Sequence, residues 1–250
     1  MLTLLLSLSA AQLPPTILWT PAAHELKGPP AVCQPFAIGD AASLPWEEGA
    51  FGIDSGFSAS KLVPTTRKLL DGQSDALVRM ETLRRAVIYA VGIGHYGKKT
   101  PPSEEVRKLR TQELILMLQQ RALAVHLGEQ AATSAEAMPP LFDLGYALAA
   151  IRQLDGVSKV PKGFASGEQE LTKSVAWSGA SAAMHLGAGL GLWLSRDQDL
   201  RDQHFLQAAT MAPKQSQGFQ QNLNDCAQRF FNLEGHDALR KTLHARLAKA

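Results

Sequence analysis

Trp177, Ser181 and His185 recur every four residues inside a stretch, 174–195, that contains no Asp, Glu, Lys or Arg. On one continuous helix that spacing lines up an indole, a hydroxyl and a titratable imidazole. An apolar wall with a few convergent polar groups is what a small-ligand site is built from. A histidine on an apolar face is equally an ordinary core residue. No second acid, base or nucleophile is placed beside it by spacing, so the trio reads as a ligand face rather than a catalytic centre.

Two further sets carry chemistry. Asp143 and Tyr146 share a face of the segment 140–154, away from Leu144, Leu148 and Ile151, which point inward. Together they would line a pocket; separately they are an acid favoured near a helix N-terminus and an amphipathic tyrosine at a core edge. Glu81, Arg84 and Arg85 form a charged group one turn long, for which pairing on a helix surface at i,i+4 is a sufficient explanation.

Several motifs resemble sites and fail on context. Gly92–Gly97 fits G-x-G-x-x-G, but position 99 is Lys where a phosphate loop needs Ser or Thr, and Pro101 and Pro102 follow. The segment before it has helical periodicity, not that of a strand. Ser58–Lys61 fits S-x-x-K, the nucleophile motif of serine β-lactamases, yet no K-T-G or S-D-N accompanies it. The seven histidines form no H-E-x-x-H, and the two cysteines, Cys33 and Cys226, form no metal motif. No cofactor and no metal are expected. The cysteines are either a disulfide joining the two ends of the chain or two buried thiols.

The positioning elements are helical. Leu77, Met80, Leu83, Val87 and Val91 step by three and four through 75–91, and Gly92 supplies a stop. Further helices are expected over 61–70, from Pro101-Pro102 to about Leu127, from Pro139-Pro140 to Leu154, after Ser166, after Ser195, over 217–233 and over 236–250. In the second of these, Val106, Leu109, Leu116, Met117, Leu123 and Leu127 form a stripe and the unbroken run Leu114–Leu118 widens it, which predicts a helix lying between neighbours. Gly179, Ala183, Gly187 and Gly191 fall every four residues, a ridge that admits a second helix closely. The expected fold is all-α, an irregular bundle or stacked pairs of seven to eight helices, with no fixed-period repeat.

Two of these segments, 79–90 (RMETLRRAVIYA) and 140–154 (PLFDLGYALAAIRQL), resemble stretches in helical bacterial proteins of unknown function. The resemblance implies helices, and no activity or site residue comes with it.

Residues 1–11, MLTLLLSLSAA, read as an export signal, with small residues placed for a cut before Gln12, and so predict an extracytoplasmic protein. Residues 12–57 hold seven prolines and five acids against Lys27 alone, with enough large apolar residues to pack as an irregular arm on a single helical domain, 58–250. A net charge of +2 with no basic stripe argues against a nucleic-acid partner. The serines, glycines and His185 in 174–195 argue against a membrane span. What remains is a binding or scaffolding protein for an unknown protein or small-molecule ligand, or alternatively an all-α hydrolase whose acids and histidines meet only in the fold.

Overall fold

The computed structural model describes residues 28–47, 52–54, 56–92, 102–128, 134–154, 165–176 and 179–249, with side chains from 102 to 124 and from 138 in the fourth and fifth helices. Among them are ten helices: α1 Pro30–Cys33, α2 Leu62–Asp71, α3 Ala76–Val91, α4 Glu104–Gly128, α5 Ser134–Leu154, α6 Glu168–Val175, α7 Ala182–Gly191, α8 Gln198–Met211, α9 Gln217–Cys226 and α10 Gly235–Leu247. The described residues contain no strand, only a single bridge between Trp46 and Ile53. The chain is an all-α bundle.

The helix α3 is its axis. Asp75 caps it by accepting the Leu77 N–H at 2.8 Å, and Gly92 closes it in the left-handed region at φ 71°. It packs on α2, α4, α5 and α7, so every residue from Ala76 to Val91 except Arg85 is buried. A helix enclosed on all sides has no solvent face for its charges. Arg79, Glu81 and Arg84 are therefore buried and paired rather than displayed, which corrects the surface pairing expected for Glu81, Arg84 and Arg85.

A second correction concerns 174–195. α6 ends at Val175 and α7 begins at Ala182, with Ser181 as its N-cap accepting the Met184 N–H at 3.2 Å. Ser181 has extended backbone (φ −76°, ψ 160°), so it lies outside the helix that carries His185 and the two are not successive points on one face. A serine at an N-cap competes effectively with helix continuation, because its hydroxyl satisfies an orphan N–H. Trp177 lies outside the described residues.

Other boundaries moved for similar reasons. α5 starts before its prolines, so Pro139 and Pro140 sit in its second turn and offer no N–H to the carbonyls of residues 135 and 136. α8 is capped by Asp197 rather than Ser195, with the Leu200 N–H donating at 2.8 Å. The small-residue ridge does its work at two points. A Cβ on Gly187 would lie 2.5 Å from Phe142 Cζ, and one on Gly191 would meet Leu171 and Ala149, so α7 sits closely against α5 and α6.

Candidate functional site

The sequence-selected residues fall into three places. The first is a buried ionic knot where α3 meets residues 31–46. Glu81 accepts from Arg84 at both carboxylate oxygens (Nε–Oε2 2.8 Å, Nη2–Oε1 2.8 Å), from Arg85 Nε at 2.7 Å and from the Phe36 N–H at 3.1 Å. Arg84 and Arg85 then donate to the carbonyls of Val32 and Leu44. Both guanidiniums lie over the Trp46 ring, 4.8 and 5.5 Å from its centroid. With Glu81 and Arg84 each about 1% exposed, this group fastens the N-terminal segment to the bundle and presents nothing to a ligand.

Asp143 and Tyr146 are both fully buried and part company. The Tyr146 hydroxyl donates to the Ala31 carbonyl at 2.9 Å, and burial raises its pKa. Asp143 receives Arg79 through both Nε and Nη2, and Arg121 through Nη1 at 2.8 Å. Burial pushes its carboxyl up, and the two arginines pull the other way. The two side chains do not line a common pocket.

His185 meets a residue that spacing could not reveal. Its Nδ1 lies 3.2 Å from Nδ1 of His204 on α8, with the rings stacked at 5.4 Å. Burial lowers both pKa values, and proximity to His185 adds to the effect on His204, which is brought down to about 4. Two neutral rings share one proton across that contact. The buried His204 Nε2 has no hydrogen-bond partner among the described residues. Donation from His204 Nδ1–H leaves that atom a bare acceptor, whereas the opposite tautomer strands an N–H donor. Among the described residues no carboxylate accompanies the pair: the buried acids Glu81, Asp143 and Asp202 are each held by two arginines. The general-base geometry that a hydrolase requires does not form around His185 among the described residues. Nor do three His, Cys, Asp or Glu side chains there converge as metal ligands. Cys33 and Cys226 are free, buried thiols whose pKa values burial raises, which makes them poor nucleophiles.

What the structure does hold is a pocket of about 210 Å³ where the N-termini of α3 and α7 face the second turn of α5. Met138, Pro139, Phe142, Ala180 and Met184 make it apolar, and Ser181 and Arg79 add polar groups. Arg79 is held rigidly. Nε and Nη2 hold Asp143, Nη1 donates to the carbonyls of Leu70 and Gln73, and one N–H on Nη2 is left without an acceptor among the described residues. Ser181 accepts its capping bond, which leaves its own O–H available. Of the sequence-selected residues, Ser181 is at the pocket and Asp143 stands behind it, orienting Arg79. Met138, Phe142 and Met184 were missed because each is an ordinary apolar residue of its own segment, and Arg79 because its carboxylate partner, Asp143, lies 64 residues away rather than one helical turn.

Comparisons with protein families, with curated proteins and with solved structures return no match.

Proposed function

We propose that this is a binding protein whose ligand is small and mainly apolar, carries one hydrogen-bond-accepting end, and occupies the pocket between α3, α5 and α7. The reading rests on one observation above the others: a buried arginine, fixed by four hydrogen bonds, lines an apolar pocket with an N–H to spare. Preorganised donors in a mostly apolar cavity are how small-ligand sites combine affinity with orientation. At about 210 Å³ the pocket is smaller than the roughly 300 Å³ at which drug-sized sites begin. A single aromatic ring or a short branched chain fits that size. The hydrolase reading has less support, since His185 faces another histidine.

The matching experiment follows thermal unfolding with benzoate, benzyl alcohol and toluene, which share a ring and differ in the polar end. Stabilisation that falls from benzoate to toluene, and is lost in Ala180→Leu, is the expected result. An equal response to all three, or a response retained in the filled variant, would set the proposal aside. We further propose that the protein works outside the cytoplasm. The apolar run of residues 1–11 and their small-residue end support that reading, and an intact mass beginning at Gln12 in an extracytoplasmic fraction would test it.

A further inference from the structure

α4 is apolar on two opposite sides, and only one of them is packed among the described residues. Leu114, Ile115, Met117 and Leu118 are buried against the bundle. Val106, Leu109, Leu116 and Leu123 are 38, 56, 54 and 54% exposed, the largest run of exposed apolar side chains on the described surface. At 100° per residue the three leucines fall within about 40° of one another, on the side away from Leu114, Ile115 and Leu118, with Val106 at the edge of the arc beside Met117. The three leucines repeat at seven residues, the spacing of a seam between two long helices. Beside them a groove of about 460 Å³ runs between α4 and Leu148 of α5. Contiguous exposed apolar surface of this kind marks an interaction site.

We infer that the occupant is a second copy of this chain, with the two α4 helices antiparallel about a twofold axis through Leu116. The polar residues along the stripe decide the partner and its direction. In that register Leu116 meets its own copy, Leu109 meets the partner's Leu123, Gln112 meets the partner's Gln120, and Glu113 meets the partner's Gln119. Between Leu109 and Leu123, Gln112 and Glu113 each oppose a neutral amide that can donate or accept, and no like charges meet there. A parallel pairing sets Glu113 against the partner's Glu113, and the mutual repulsion of two carboxylates disfavours it. The antiparallel arrangement also aligns the helix dipoles favourably. The contact runs about 21 Å from Leu109 to Leu123, so it is a small interface that associates in the micromolar range rather than an obligate one.

Sedimentation velocity of the full chain over about 1–200 µM tests this. The expected result is a shift from the 27.0 kDa monomer to twice that mass. Leu109→Lys and Leu123→Glu are each expected to weaken association at least tenfold. Combined in one chain they restore it, because only the antiparallel register brings position 109 of one copy to position 123 of the other. Both positions are exposed, so unchanged circular dichroism and melting temperature confirm that each variant is folded. A monomer throughout the range overturns the inference. So does a double variant no better than the singles, or a monomer that instead floats with vesicles of anionic phospholipid.

Discussion

A buried imidazole pair has a consequence for acid stability that follows from its two neighbouring nitrogens. His185 and His204 are held neutral in the folded protein, their pKa values lowered by burial and, for His204, by its partner. In the unfolded chain each titrates near 6.5. Stability from the pair is therefore complete above about pH 6.5 and is lost as pH falls from there through about 4, where the folded protein finally takes up the proton. The expected loss from His204 alone is about 3 kcal/mol, and the half-buried His185 adds to it in the same direction. Urea midpoints at pH 7 and pH 4.5 should differ less in His204→Leu than in the native protein. Equal pH dependence in both would show that the pair is not titrating as described. Glu81 is a second residue-scale test. Glu81→Gln leaves Arg84 buried without its counter-charge, and a cost of about 3–5 kcal/mol is expected in urea unfolding. Arg85→Met, at the more exposed member of the knot, should cost visibly less. The reverse order would mean that the surface pair, not the buried one, fastens residues 31–46.

Helices were legible where residue spacing supplied both a period and a stop, and illegible where tertiary contact or capping overrode the period. α3 ends at Gly92 as its apolar spacing and glycine predict, because a left-handed residue there is a local requirement. The break between α6 and α7 was hidden, since an uncharged run of 22 residues carries little internal signal, and Ser181, which caps α7, also suits a helix face. The stripe expected on α4 mixed residues from two faces: Met117 is buried while Leu109, Leu116 and Leu123 are not. The expectation that this helix lies between neighbours is met on one side only: α4 packs on α3 and α5, while Leu109, Leu116 and Leu123 stay exposed among the described residues. The glycine ridge allows a sharper test. Gly187→Ala would gain about 1 kcal/mol in helix propensity, yet its methyl must displace Met80 and Phe142. Overpacking of this kind costs about 1–3 kcal/mol, so a net loss is expected in the thermal midpoint. A gain would show that the α7–α5 contact is looser than the structure has it.

For the molecule as a whole, the described residues form an all-α fold around α3, with Glu81, Asp143 and Asp202 each held by two arginines and an apolar pocket between α3, α5 and α7. The fold class could be read from composition and periodicity. The site could not, because its walls come from α3, α5 and the start of α7, more than a hundred residues apart, and Arg79 gains its meaning only from Asp143. No helix among the described residues is long and apolar enough to cross a membrane. The pocket is the central claim, and methionine methyl NMR tests it most directly. Met138 and Met184 line the pocket, whereas Met117 and Met211 do not. Titrating benzoate to about 10 mM should shift the methyl signals of Met138 and Met184 saturably, leave those of Met117 and Met211 in place, and do neither in Ala180→Leu. No shift at that concentration, or shifts of equal size at all four methionines, would contradict a ligand site between α3, α5 and α7.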